Sequence, residues 1–117
     1  VLYTGESKEI ALLEVIVHLP PMIAPQLDII TLEIPDDSIT IIQEQELPQN
    51  WMVYPAPTVL SEIGENWVND SRTLAMKVPS CIIQSTQNVV INCRHARFKE
   101  VRLIDKKPFR FDQRLVK

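Results

Sequence analysis

VLYTGESKEIALLEVIVHL, residues 1–19, is the stretch that decides the fold class. Residues 1–4 read as the end of a strand. Ser7 follows as the N-cap of a helix, because a serine side chain can accept from a backbone N–H of the first turn. Glu9 then sets a negative charge at the positive end of that helix. The helix is predicted over residues 8–19, and Pro20-Pro21 stops it by withholding the N–H groups it would need to continue. From Ile10 to Leu19 only Glu14 and His18 are not apolar. A helix that is apolar on every side is buried, so the Glu14 carboxylate is expected away from bulk water, where it must be paired, hydrogen-bonded or protonated. Removing the partner of such a buried charge costs about 3–5 kcal/mol. His18, four residues on, shares the helix face of Glu14 and is a candidate partner. Two readings stand side by side: an ion pair that holds the helix in register, or the perturbed carboxylate of a site.

Outward from this helix the chain alternates between strands and corners. Residues 26–34, QLDIITLEI, have the alternation of a strand; residues 35–38, PDDS, form a turn, and residues 39–43 a further short strand. Residues 47–57 are loop-like. A second helix is predicted over residues 58–69, with Leu60, Ile63 and Trp67 on one face. The remainder is β in character, with strands expected at residues 73–78, 81–84, 89–93, 98–104 and 109–111. Turns are expected at residues 79–80, 85–88 and 106–108. Nine prolines against two glycines make for fixed corners and little flexible linker. At 117 residues the chain makes one α+β domain with a single core.

The composition, 45% apolar with a formal charge of −3, is that of a soluble globular protein, and no apolar run approaches the ~20 residues of a spanning helix. No basic segment followed by an apolar core marks a signal peptide. The sequence opens at Val1 without a methionine and is already strand-like, so an upstream segment is expected. Cys81 and Cys93 form no CxxC pair; they are expected as reduced, half-buried thiols, with the cytoplasm as the default location. Charge is uneven. Residues 1–60 hold one Lys or Arg, Lys8, against nine acids, whereas from Arg94 onward nine bases face Glu100, Asp105 and Asp112. Either an acidic ligand or the acidic half of the same fold answers those bases.

Few other residues offer chemistry. Tyr3 ends the strand that feeds the first helix, so its ring could stack on a flat ligand or simply pack at an edge. Ser80 follows Pro79 and is either a turn residue or a hydroxyl exposed at the mouth of a cleft. No metal is expected, since only CRH (93–95) gathers ligand types and its spacing fits no zinc pattern. No GxSxG elbow surrounds Ser80, and two glycines cannot build a Gly-rich phosphate loop.

Taken in order, VLYTGES, ALLEVIVHL, LEIPDD, LPQNW, IGENWV, LAMKVPSCII, NVVINCRH and PFRFDQRL resemble the RES domain, the toxin half of bacterial Xre–RES toxin–antitoxin modules. Each stretch is short, but the ordered set runs through nearly the whole chain. The family is named for an arginine, a glutamate and a serine. Glu14 matches the glutamate, Ser80 the serine, and Tyr3 the family's tyrosine on the preceding strand. The family's arginine lies upstream, near a GGRWN-like segment, and this sequence opens past it; the resemblance therefore implies a RES domain over residues 1–117 that is incomplete at its N-terminus. Cys93 also departs from the pattern, standing where the family usually has proline between Asn92 and Arg94.

The resemblance implies a fold similar to the ADP-ribosyltransferases and a toxin that degrades NAD by cleaving the nicotinamide–ribose bond. NAD is then a consumed substrate rather than a cofactor. Water or phosphate is the acceptor, phosphate serving as co-substrate in phosphorolysis. The implied partner is an Xre-type helix-turn-helix antitoxin, through which alone DNA is reached; no membrane is implied, and self-association is left open. Cleavage of this bond passes through an oxocarbenium-like state, which the Glu14 carboxylate would stabilise. Tyr3 would stack on nicotinamide. Ser80 would bond the nicotinamide amide or ribose, as a positioning group rather than a nucleophile, and Asn92 is a lesser polar candidate for substrate binding. Two rivals remain: a mono-ADP-ribosyltransferase acting on a macromolecule, and a non-catalytic binding module that uses the basic C-terminal strands.

Overall fold

In the computed structural model, which describes residues 1–18 and 26–115, the chain runs through β1 (Leu2–Gly5), α1 (Lys8–His18), β2 (Leu27–Glu33), β3 (Ile39–Ile41), α2 (Thr58–Asp70), β4 (Ala75–Pro79), β5 (Gln87–Ile91) and β6 (Arg102–Phe109). Single 3₁₀ turns occupy Glu44–Glu46, Ala96–Glu100 and Gln113–Leu115. The architecture is α+β. Four strands make the main sheet in the order β1-β5-β4-β3, and β2 and β6 pair separately. In the main sheet β3 lies parallel to β4, joined to it through α2, while β1–β5 and β4–β5 are antiparallel.

Register assigns the two faces of the main sheet. Met76 sits opposite Val90, and both pack with Trp67 of α2. Ala75 sits opposite Ile91, and these join Leu74 and Val89 in a second cluster, covered by Leu32, Ile34, Ile39 and Val101. Helices therefore lie on one face, and the β2·β6 ribbon with its flanking residues covers the other.

Ser7 caps α1 as predicted, its Oγ accepting from the Ile10 N–H at 3.3 Å. Residue 19 and Pro20-Pro21, where the helix was expected to end, lie outside the described residues. Helix α1 is not buried all round: Ile10 is enclosed, but Val17 is 57% exposed. With strands on one side only, even an almost wholly apolar helix keeps an outer face.

Three strand expectations need correction. Residues 81–84 are not a strand but part of the β4–β5 loop, because the Ser80 hydroxyl takes the N–H groups of Ile82 (3.0 Å) and Ile83 (3.3 Å) that a ladder would use. The first half of the strand expected at residues 98–104 falls within a 3₁₀ turn, whose first residues are held by the His95 Nδ1 accepting from Arg97 N–H. The turn expected at residues 106–108 lies inside β6, where Lys106, Lys107 and Pro108 pair with Ile30, Ile29 and Asp28. Proline is tolerated there because, among the described residues, β6 has a strand on one side only. The strand expected at residues 109–111 is accordingly just the end of β6, with Phe111 beyond it and set edge-on to Phe109.

The cysteines are also corrected: both are free and exposed rather than half-buried. The C-terminal bases are in part answered within the fold, by Arg97 on Asp37 at 2.9 Å and Lys106 near Asp28 at 4.0 Å, and in part locally, by Arg97 on Glu100 and Arg114 on Asp112. No helix among the described residues is long and apolar enough to cross a membrane.

Candidate active site

Gly5 is where the site begins. A side chain there would meet Ile10 Cγ2 at 2.6 Å and the backbone N of Ala11 at 3.0 Å, so only glycine lets α1 lie this close to β1. Gly5 pairs with Asn88 of β5, and Asn88 pairs with Val78 of β4. The helix thus crosses above Asn88, and Glu14, on its underside, comes down onto β5.

Glu14 is half-buried, and two groups reach its Oε1: the Asn88 Nδ2 donates at 2.8 Å, and the Ser80 hydroxyl makes a longer bond at 3.4 Å. Among the described residues no hydrogen bond reaches Oε2. His18, the partner expected from helical spacing, is exposed and makes no bond to Glu14. The carboxylate is answered from the sheet, not along its own helix.

Ser80 is fully buried, which corrects the expectation of an exposed hydroxyl. Its Oγ accepts from two backbone N–H groups and donates to Glu14, which uses all of its hydrogen-bonding capacity. The serine therefore ties the β4–β5 loop to the carboxylate. Next to it, the Cys81 thiol donates to the Trp51 carbonyl at 3.6 Å. Although the residue keeps exposed surface, partial burial, and then the Glu14 charge, push the thiol above its ordinary range. Cys81 is thus held neutral and is a poor nucleophile.

Tyr3 lies on the edge strand opposite Val90, on the same sheet face as Asn88, and is 78% exposed. Its ring is open to solvent. Asn92 is not part of the Glu14 cluster. It lies beyond the other end of β5, 2% exposed, with its Oδ1 accepting from the Arg94 N–H at 3.0 Å and its own N–H donating to the Leu74 carbonyl at 2.8 Å. Of the residues singled out from sequence, Glu14 and Ser80 touch, Tyr3 shares their face, and Asn92 stands roughly 13 Å of strand away from Asn88.

Asn88 falls in the turn expected at residues 85–88 but is the second residue of β5. Its signal was present: in a strand over QNVVI, residue 88 shares the face of Val90, so a side-chain amide sits on a core-facing position of an inner strand. Asn88 Oδ1 is buried and, among the described residues, no group donates to it, a condition that costs about 1–3 kcal/mol. Two surface hollows, of ≈ 410 Å³ at Arg110–Gln113 and ≈ 460 Å³ between Glu33–Pro35 and Lys99–Arg102, are not lined by Glu14, Ser80, Asn88 or Tyr3. Among the described residues no three His, Cys, Asp or Glu side chains are gathered as a metal site.

The model of the RES domain matches residues 1–112. A Toxin Res of Yersinia enterocolitica is 31% identical over 116 residues, covering 97% of this chain and 76% of the relative. A Toxin Res of Photorhabdus laumondii is 31% identical over 117 residues, covering 98% and 75%. A protein of Sphingobium sp. named Prs ADP-ribosylating toxin is 28% identical over 121 residues, covering 100% and 75%.

Proposed function

The chain belongs to the RES-domain family, and from that premise we propose that it is a toxin acting on NAD, cleaving the nicotinamide–ribose bond by hydrolysis or phosphorolysis. The observation that carries the proposal is the meeting of Glu14 and Ser80, 66 residues apart in sequence, at a 3.4 Å contact, with an exposed tyrosine on the same sheet face as Asn88. A carboxylate with one oxygen anchored and the other unengaged suits a bond cleavage in which positive charge grows on the ribose. In this proposal Oε2 of Glu14 faces the ribose, Tyr3 stacks on the nicotinamide ring, and Ser80 acts through Glu14 by holding its other oxygen. Nicotinamide leaves with the bonding electron pair, and water or phosphate takes its place on the ribose carbon, losing a proton when water attacks. An Xre-type antitoxin is the proposed silencing partner.

The name of the Sphingobium relative favours a second reading, in which the ribosyl group passes to a protein. NMR of NAD incubated with the purified chain, with and without phosphate, separates these possibilities. Free ADP-ribose, or its phosphate ester when phosphate is supplied, supports the proposal. Labelled protein without free product supports ADP-ribosyl transfer. Unchanged NAD and unlabelled protein overturn both.

A further inference from the structure

We infer that Asn88 is the positioning residue of this site: its amide holds Oε1 of Glu14 and so aims the carboxylate, an inference that rests on Glu14 having the role given above. Asparagine is depleted in strands, yet Asn88 sits within an inner strand, flanked by β1 and β4. Its Nδ2 spends its 2.8 Å bond on Glu14, while Oδ1 is enclosed and accepts from no group among the described residues. Turning the amide over does not help. Oδ1 would then face a carboxylate oxygen at the same short distance, and the amide NH₂ would be left without the acceptor that Glu14 supplies. A residue placed for stability would have both ends matched or would be apolar. What the amide gains at this position is its bond to Glu14.

Among the described residues, the ladder of β5, Gln87–Ile91, has no ionisable group; β1 contributes Tyr3, and Glu6 beyond it accepts from the Gln87 N–H at 3.0 Å; the loop after β4 contributes Cys81; and α1 itself has Lys8, Glu9 and His18. No lysine or arginine is bonded to Glu14 among the described residues, which leaves its orientation to the two neutral donors Asn88 and Ser80.

The test uses the full chain and two variants. In Asn88→Leu, thermal stability is expected to hold or rise, while NAD turnover falls at least tenfold, chiefly in kcat. Asn88→Asp keeps the size of the side chain and covers the case in which the leucine variant does not fold. Two carboxylates then share one place, so the acid limb of the turnover profile moves to higher pH by about a unit or more. A third readout needs no turnover: a crystal structure of the leucine variant is expected to show the Glu14 carboxylate turned from the place it holds beside Ser80 in the wild type. A carboxylate that keeps its place in that variant, or turnover lost only in proportion to lost folded protein, overturns the inference. Should the wild type leave NAD intact, the proposed function fails, and the position of Glu14 in the variant still decides the role of Asn88.

Discussion

β5 has an asparagine near each end, and the fold treats the two in opposite ways. Asn92 closes a turn: its side chain accepts from the Arg94 N–H, its carbonyl accepts from the His95 N–H, and its backbone N–H donates to Leu74. Every one of those partners is backbone, so these bonds shape the chain. Asn88 instead bonds a side chain, and its Oδ1 is left without a donor. Where a buried amide is answered by backbone, it does structural work; where it keeps a mismatch in order to hold a carboxylate, the mismatch points to chemistry.

The sharpest way to break this contrast is Glu14→Gln. It keeps the helix and the shape of the side chain but removes the charge, and turnover of NAD is expected to fall a hundredfold or more, with folding verified by circular dichroism. Full turnover in that variant would erase the functional meaning of the Asn88 end. Gly5→Ala tests the approach of the helix. The added methyl meets Ile10 and the Ala11 backbone, so a loss of about 1–3 kcal/mol in chemical denaturation is expected, accompanied by reduced turnover as Glu14 lifts from β5. Asn92→Ala probes the other end: stability falls by about 1 kcal/mol for a lost turn hydrogen bond, while kcat per folded molecule stays within twofold of wild type.

The smallest expected effect concerns the 3₁₀ turn that follows Asn92. Glu100 is held below its ordinary value, first by its hydrogen bond from Arg97, which also grips Asp37. A carboxyl lowered in the folded state contributes stability above its unfolded value and loses it as pH falls through the folded one. Glu100→Gln should therefore flatten the acid side of a thermal melting profile below about pH 4.5, and the difference should shrink with added salt, as exposed pairs do. Equal acid sensitivity in both proteins would show that this network does not contribute.

Local signals were legible in the sequence, and long-range ones were not. The Ser7 cap, the start of α1, and helix α2 with Trp67 inward all follow from neighbours within a turn or two. The strand expected at residues 81–84 failed because its apolar run, Cys81-Ile82-Ile83, gave no hint that the Ser80 hydroxyl would claim two of its N–H groups. The turn expected around Pro108 failed because proline signals a break unless a strand has an open side, which only the tertiary arrangement reveals. Glu14 stood out as a lone carboxylate in an apolar run. Its partners lie 66 and 74 residues away, beyond anything helical spacing could name, and spacing proposed His18 instead.

Pro108 has a consequence for how copies of this chain meet. Among the described residues β6 has no strand beyond it and offers an edge on which another strand could extend the ladder. At Pro108 an incoming strand finds no N–H, and beside it stand Lys106 and Lys107, 60% and 71% exposed and each near an aspartate. Proline and lysine on an open edge discourage such pairing, so the residue that made this segment read as a corner also makes its border a poor template for another strand.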